Sequence, residues 1–280
     1  MKQIISFASD FGLGDGSVGV VKGVISRVDP DLKINDISHG IPPQNIKYGS
    51  LLLMRAIQYI PQGVLLAVVD PGVGTERNPI AITTDWGLMI GPDNGLLNLA
   101  CATVGGAKQA FLLENKNWVI PHEGETFHAR DIFAPFAAAY ASGQLKLEEF
   151  GKELDLEDLK QYLIPLTDIS EKEIKGEVLY VDHFGNCQTN ISPGELKDKN
   201  FQIGDVLNLS IGNQEIEAKW CATYQNDNER DVGIVVDSWG MISLFVSNGS
   251  ASEVLNCKDT SKIKITVENL KLKVRQSNGS

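Results

Sequence analysis

A buried strand followed by a tight turn is predicted by Val64-Leu65-Leu66-Ala67-Val68-Val69-Asp70-Pro71-Gly72-Val73-Gly74-Thr75-Glu76-Arg77. Six consecutive apolar residues are typical of a strand that helices cover on both faces. Pro71 and the two glycines after it favour a turn. Ligands of open α/β sheets bind where strands end, so Asp70 is either a ligand-contacting group or a turn cap. Arg77 is correspondingly either a partner of Asp70 or a solvated charge.

Strand and helix patterns alternate around this segment. They predict strands at 4–9, 32–37, 80–84, 88–90 and 109–113, and helices at 18–28, 45–59, 96–104 and 132–141. Ser17 or Asp15 is the expected N-cap of the first helix. This alternation indicates a mostly parallel sheet between helices, an α/β/α sandwich.

The pattern changes after Pro165. The charged segment 168–175 is expected to be a linker, and later residues predict strands at 177–181, 207–211, 215–221, 232–236, 241–246 and 263–272. These short strands indicate a small antiparallel β-barrel. The sequence therefore predicts an α/β fold with two domains, residues 1–168 and residues 169–280.

Composition excludes several classes of protein. The net charge of −11 argues against nucleic-acid binding, which needs a basic surface. No apolar run has the roughly 20 residues that span a membrane, and Asp10 comes too early for a signal peptide. Four cysteines without CxxC spacing and four histidines without metal-site spacing suggest neither a disulfide framework nor a metal. We expect a cytoplasmic protein.

The glycine-rich loop after the first strand has two interpretations. Gly12-x-Gly14-x-Gly16 lies between a strand and a helix, as a dinucleotide-binding loop does. Its spacing differs from GxGxxG, however, and Asp10 and Asp15 would place negative charge beside a pyrophosphate. The loop suits hydroxyl and amine groups better.

A stronger hypothesis combines polar residues from several predicted strand ends. An aspartate, an arginine and a histidine brought together could position and deprotonate a water molecule. The arginine is expected to lower the pKa of the carboxylate, and the histidine could relay a proton near neutral pH. His39 and His122, in contrast, are expected on surface loops.

Motifs over nearly the whole chain resemble one enzyme family. They are Ser9-Asp10-Phe11-Gly12 with Asp15 and Ser17, Asp70-Pro71-Gly72-Val73-Gly74-Thr75 with Arg77, Pro92-Asp93-Asn94-Gly95-Leu96-Leu97, Thr126-Phe127-His128-Ala129-Arg130-Asp131, Asp182-His183-Phe184-Gly185-Asn186, Thr189-Asn190-Ile191 and Ser238-x-Gly240. In this order they resemble the S-adenosyl-L-methionine (SAM) hydroxide adenosyltransferases, the adenosine-forming SAM hydrolases, which are related to fluorinase and chlorinase.

The resemblance implies a reaction and an assembly. Water or hydroxide would attack C5′ of SAM and release adenosine and L-methionine, with no further cofactor and no metal. Asp70, Arg77 and His128 match the family's catalytic triad, and which of them takes the proton stays open. A homotrimer is implied, with each active site formed between the N-terminal domain of one subunit and the C-terminal domain of its neighbour.

The resemblance also assigns substrate contacts. Asp10 matches the group that holds the ribose hydroxyls; Asp15, Ser17 and Asp182 match groups around the methionine amine. Ser238 matches a group near the methionine carboxylate, Asn186 an adenine partner, and Phe127 and Phe184 match packing aromatics. Trp239 stands where fluorinase has a basic residue, so carboxylate recognition is expected to differ. Gln44 stands where that enzyme has a tryptophan, so other details of substrate binding are expected to differ.

Two other functions remain as alternatives. One is a SAM-dependent halogenase, against which the negative charge of Asp70 argues because it would repel a halide. The other is a protein that binds SAM or adenosine without catalysis. The products formed from SAM distinguish the three.

Overall fold

The chain forms two compact units. The structure, a computed structural model, describes residues 2–121, 123–228 and 230–267. The first unit ends at Leu163 and the second begins at Ile164. The segment 168–175, expected to be a linker, instead contributes a β-hairpin to the second unit.

Strands and helices alternate in the first unit, as predicted. They are β1 (Ile4–Ser9), α1 (Ser17–Val28), β2 (Ile34–Ser38), α2 (Ile46–Ala56), β3 (Gly63–Val68), β4 (Pro79–Thr83), β5 (Gly87–Pro92), α3 (Asn98–Thr103), β6 (Gln109–Leu112), α4 (Ala134–Ser142) and β7 (Glu153–Leu154). Gly16, with φ 81°, is the N-cap of α1. The prediction of Ser17 or Asp15 was therefore wrong, because the left-handed glycine ends the preceding turn.

One seven-stranded sheet organises this unit. The strand order is β2-β1-β3-β5-β4-β6-β7, in which β2, β1, β3 and β5 are parallel and the remaining pairs are antiparallel. The parallel strands all end at one edge, so the loops after β1, β3 and β5 lie side by side.

The predicted central strand is buried on both faces. Val64, Leu66 and Val68 belong to a core that also contains buried residues of α1 and α4. The alternate residues, Leu65 and Ala67, belong to a second core with α2 and α3. This two-sided burial confirms the α/β/α sandwich, because successive side chains of a strand point to opposite faces.

The second unit contains a closed barrel. Its elements are β8 (Asp168–Ile169), β9 (Glu173–Val181), β10 (Cys187–Thr189), α5 (Pro193–Asp198), β11 (Val206–Ile211), β12 (Gln214–Trp220), β13 (Val232–Val236), β14 (Ile242–Val246), α6 (Ala251–Val254) and β15 (Lys262–Thr266). The order β10-β14-β13-β12-β11-β15-β9 closes through pairing of β9 with β10, and β8 pairs on the outside.

The barrel differs from the prediction in one pairing. β12 and β13 are parallel, whereas all other neighbours are antiparallel. The long connection between them, residues 221–231, allows this because parallel neighbours need a crossover rather than a hairpin. The part of the last predicted strand beyond Val267 lies outside the described residues.

Candidate active site

Carboxylates follow three neighbouring parallel strands of the first unit. Asp10 comes directly after β1, Asp70 lies two residues beyond β3, and Asp93 comes directly after β5. β1 and β3 are in register up to Ser9 and Val68. This edge of the sheet is the place where the parallel topology gathers ligand-binding groups.

The structure brings Asp70, Arg77 and His128 into contact. Arg77 Nε donates to Asp70 Oδ1 at 3.1 Å, and Nη2 donates to Asp70 Oδ2. The same Nη2 lies 2.9 Å from His128 Nδ1. Because a guanidinium can only donate, Nδ1 is the acceptor, and the neutral imidazole carries its proton on Nε2.

Burial dominates the electrostatics of this cluster. Only 6% of the Asp70 side chain and 7% of the Arg77 side chain are exposed. Burial raises the pKa of Asp70 above its usual range, although the charge and hydrogen bonds of Arg77 oppose this. Arg77 lowers this pKa, as expected, but desolvation of the carboxylate is the larger effect, so the net shift is upward.

The pKa of His128 is shifted in the opposite direction. Burial, followed by the nearby charge of Arg77, lowers the pKa of His128 below its usual value, and Asp70 only partly opposes this. Both effects disfavour the imidazolium. The cluster therefore holds His128 neutral at neutral pH.

One nitrogen of the Arg77 guanidinium is enclosed by the protein. Its Nη1 is buried and has no hydrogen-bond partner among the described residues. The guanidinium lies over the Phe133 ring, 5.4 Å from its centroid.

Gly74 allows the two chain segments of the cluster to meet. Its φ is 75°, and a Cβ atom there would lie 2.6 Å from the Glu125 carbonyl oxygen. Glu125 precedes the segment that carries His128, which begins a turn of π-helix at Ala129–Phe133. The absent side chain thus makes room for the backbone of the second segment.

Asp10 and its neighbours form a second group at the same edge. Asp10 Oδ2 accepts a hydrogen bond from the backbone N–H of Gln44 at 2.8 Å. Asp15 is exposed, and its Oδ1 accepts from Ser17 N at 2.9 Å. That hydrogen bond lowers the pKa of Asp15, so it carries a negative charge at neutral pH.

Phe127 lies between these two groups. Its ring meets Phe11 edge-on at 5.7 Å between centroids, and Arg130 Cζ lies 5.2 Å from the Phe127 centroid. Phe11 follows Asp10, and Phe127 precedes His128. The aromatic contact therefore connects the Asp10 loop with the cluster around Asp70.

The remaining predicted residues gather within the second unit. A cleft of about 710 Å³ is lined by Asp182, Phe184, Asn186, Tyr224, Ser238, Val246, Asn248, Gly249 and Ser250. The lining includes all four substrate-binding residues predicted in this unit: Asp182, Phe184, Asn186 and Ser238. Three of them come from one turn after β9, and Ser238 comes from the turn between β13 and β14.

The 182–186 turn is held by its own carboxylate. Asp182 Oδ1 accepts from the N–H groups of Phe184 and Asn186, both at 2.9 Å, and Oδ2 accepts from Asn186 Nδ2 at 2.8 Å. These bonds orient the Asn186 amide and leave the Phe184 ring 74% exposed. An exposed aromatic ring beside a fixed amide suits a flat heterocyclic ligand.

His39 does not lie on a surface loop. It was expected on the surface but is 6% exposed, with its Nδ1 2.7 Å from Ser9 Oγ. The available signal was its position directly after β2, at the same edge as Asp10 and Asp70. His122 lies outside the described residues.

No group of three or more His, Cys, Asp or Glu side chains within residues 2–121, 123–228 and 230–267 is arranged to hold a metal ion. No helix in that part of the chain is long and apolar enough to cross a bilayer.

Fold and site together define an enzyme of the α/β class with a charged cluster at the sheet edge and a polar cleft in its barrel unit. Sequence comparison gives the family: the SAM hydroxide adenosyltransferase N-terminal domain matches residues 5–151 and the corresponding C-terminal domain matches residues 176–264. The chain belongs to the SAM hydroxide adenosyltransferase family.

Individual relatives agree with this assignment. The chain is 37% identical to an (R)-S-adenosyl-L-methionine hydrolase from Salinispora tropica, over 94% of this chain and 97% of that protein. A protein of the same name from Thermus thermophilus is 35% identical, over 93% and 98%. A fluorinase from Actinopolyspora mzabensis is more distant, at 25% over 95% and 97%.

Solved structures share the fold. An uncharacterized conserved protein from Thermotoga maritima superposes with a TM-score of 0.84 at 33% identity, covering 94% of this chain and 99% of that one. A conserved hypothetical protein from Thermus thermophilus gives a TM-score of 0.73, also at 33% identity and with the same coverage.

Proposed function

We propose that this protein hydrolyses S-adenosyl-L-methionine to adenosine and L-methionine by attack of water on C5′. The observation that carries the proposal is the buried contact of Asp70, Arg77 and His128 at the carboxyl edge of the sheet. The hydrolases named above, at 35–37% identity over nearly the full chain, support it.

Water is a weak nucleophile, so the enzyme must orient it toward C5′. As water attacks C5′, positive charge develops on its oxygen while the sulfonium leaves as a neutral thioether. The Asp70 carboxylate stabilises the developing charge, and Arg77, which donates to both Asp70 oxygens, fixes the orientation of that carboxylate toward the water. Carbon–oxygen bond formation then accompanies carbon–sulfur cleavage.

Two features favour Asp70 as the group that takes the proton. Its pKa is raised by burial, which makes the carboxylate a better base. His128 Nδ1 already accepts from Arg77, so its lone pair is occupied. In this proposal Arg77 and His128 position Asp70 and the water.

The proposed substrate contacts follow the family resemblance. Asp10 takes the ribose hydroxyls, while Asp15, Ser17 and Asp182 surround the methionine ammonium group. Asn186 takes the edge of adenine, Ser238 the methionine carboxylate, and Phe127 and Phe184 pack against the substrate. Carboxylates suit diols and ammonium groups, and an amide matches adenine's donor and acceptor.

We further propose that the active enzyme is a homotrimer in which the two sets of contacts come from different subunits. The resemblance to the family supports this assembly. No cofactor is proposed beyond the substrate itself, so activity should be unaffected by a metal chelator.

Chromatography of the products formed from SAM tests the function. We expect adenosine and methionine, and no 5′-halogenated nucleoside in fluoride or chloride buffers, because the Asp70 carboxylate repels a halide. A 5′-halo-5′-deoxyadenosine would instead indicate a halogenase. Binding with unchanged SAM would indicate a non-catalytic binding protein.

Variants of the cluster sharpen this experiment. Asp70→Asn and His128→Asn should lower kcat by about 100-fold or more, since both remove contacts that orient the water. Asp85→Asn is the matched control, because Asp85 forms an exposed salt bridge with Lys108 away from the cluster. Wild-type turnover in both cluster variants would refute the proposed triad.

A further inference from the structure

A hydrogen-bonded chain runs from the exposed Asp36 to the buried His39 and Ser9, next to Asp10. His39 Nε2 is 3.1 Å from Asp36 Oδ1, and His39 Nδ1 is 2.7 Å from Ser9 Oγ. Because a carboxylate only accepts, Nε2 carries the proton; in the neutral imidazole Nδ1 therefore accepts from the Ser9 hydroxyl. The order is Asp36, His39, Ser9, and the chain ends on the residue before Asp10.

The arrangement has the composition of a nucleophilic triad but cannot act as one. Ser9 is 0% exposed, and its hydroxyl also accepts, at 3.5 Å, from the backbone N–H of Phe11. A nucleophile must reach the substrate, whereas this hydroxyl is enclosed. Its contacts are with the chain on either side of Asp10.

His39 also forms a hydrogen bond to the loop on the other side of Asp10. Its backbone carbonyl accepts from Gly12 N at 2.8 Å, and Gly12 has φ 66°. The side chain of His39 therefore fixes the position before Asp10, and its backbone fixes the position two residues after it. The imidazole itself is wedged edge-on against Phe7, 4.6 Å between centroids.

The neighbouring loop completes the support of the carboxylate. Gln44 adopts φ 64°, which is uncommon for a residue with a side chain, and its N–H donates to Asp10 Oδ2 at 2.8 Å. This bond leaves Oδ1 of Asp10 for a ligand. A carboxylate held on both flanks and at one oxygen is preorganised for a ligand of fixed geometry.

We propose that His39, acting through Ser9, is a positioning residue that aims Asp10 at the cis-diol of a ribosyl ligand and thereby sets selectivity for ribose over sugars without hydroxyls. This inference rests on the proposed function, since it takes Asp10 as the ribose-binding carboxylate. His39 and Ser9 act on substrate binding rather than on the displacement step, because neither of them contacts the Asp70 cluster in the described part of the chain.

Nucleoside binding and SAM kinetics test the proposal in Ser9→Ala, His39→Leu and His39→Asn. Ser9→Ala and His39→Leu should raise the KM for SAM about tenfold and change kcat by less than about threefold. In calorimetry they should lose about tenfold in adenosine affinity and keep their affinity for 2′,3′-dideoxyadenosine within about twofold. His39→Asn, whose amide reaches the position of Nδ1, should recover most of the loss.

Ser6→Ala is the matched control. Ser6 is on the same strand, is equally buried, and has a hydroxyl that accepts from Asn35 Nδ2 at 3.4 Å without contacting the Asp10 loop. It should leave the adenosine-to-dideoxyadenosine affinity ratio at the wild-type value. Thermal unfolding of each variant confirms that it is folded; if His39→Leu is not, Ser9→Ala and His39→Asn carry the test.

The outcomes separate this inference from the proposed function. Equal losses for both nucleosides, or an unchanged ratio in Ser9→Ala, would overturn the positioning role even if the wild type hydrolyses SAM. A wild type that binds adenosine and leaves SAM intact would refute the hydrolase while the nucleoside ratio still decides the role of His39. A wild type that binds neither nucleoside would overturn the positioning role as well.

Discussion

Arg77 serves two acceptors with one guanidinium. Nε and Nη2 grip the Asp70 carboxylate, and Nη2 also reaches His128. In a buried pair, removal of one partner leaves the other charge uncompensated, which costs about 3–5 kcal/mol. The stability of each Asp70 or Arg77 variant must therefore be measured as well as its turnover.

Arg77→Lys keeps the charge but loses the geometry. A lysine ammonium cannot reproduce the planar fork that grips Asp70 and reaches His128, so we expect kcat to fall about 100-fold. Steady-state kinetics with SAM measure this, with Lys108→Arg as a control at an exposed salt bridge. Near-normal kcat in Arg77→Lys would mean that charge alone suffices.

His128 should make stability depend on pH. Its folded-state pKa is lowered by burial and by Arg77. Between that pKa and the unfolded value near 6.5, the unfolded chain binds more protons, so stability falls as the pH falls through this window. His128→Asn should therefore lose less stability than the wild type between about pH 7.5 and 5.5.

Urea unfolding of both proteins at the two pH values measures this difference. Parallel losses in the wild type and in His128→Asn would show that His128 is not the group responsible. His183→Asn, which replaces an exposed histidine in the 182–186 turn, is the control substitution.

At the scale of elements, the turn after β3 is shaped by one close approach. Gly74 faces the backbone of Glu125, whereas a Cβ at Gly72 would meet its nearest atom, Thr75 Oγ1, at 3.4 Å and with no positive φ. The turn and the segment before α4 therefore touch at Gly74. This contact keeps Arg77 within reach of His128.

Gly74→Ala should disturb that contact, and Gly72→Ala should not. Alanine at Gly74 brings both an unfavourable φ and a 2.6 Å clash with backbone, so we expect a loss of about 1–3 kcal/mol of stability and at least tenfold in kcat, about the cost of a misplaced catalytic group. Gly72→Ala should stay within about 0.5 kcal/mol of the wild type. Similar behaviour of the two variants would contradict the role of the close approach.

For the whole molecule, complementation tests the proposed assembly. Asp70→Ala removes a group of the first unit, and Asp182→Ala removes one of the second. If each site takes its two halves from different subunits, random mixing of equal amounts by joint refolding should restore about a quarter of wild-type activity. Sites formed within one chain would give none.

Two measurements accompany the mixing experiment. Light scattering should give three times the mass of one chain for the wild type and for both variants. Each variant refolded alone should stay inactive, so activity in the mixture reports exchange of subunits. A monomer in solution would contradict the trimer.

Much of the fold could be predicted because local patterns and packing agree. The apolar run at 64–69 has few alternatives to a doubly covered strand, and β3 is buried along its whole length. β10, only three residues long and containing Gln188, carries no comparable pattern. β10 forms because it pairs with β9 and β14 and so closes the barrel. The local sequence contains no signal for this long-range pairing.

The contact of Asp70, Arg77 and His128 could be predicted from the sequence, but its energetics could not. Strand-end carboxylates and the Asp70, Arg77 and His128 motifs are present in the sequence, and the sheet edge brings the three together. The sign of the Asp70 pKa shift and the burial of His39 depend on packing by residues far away in the chain. The sequence by itself determined which groups are available; only the tertiary structure decided which of them lose water, because desolvation is a property of the packed environment.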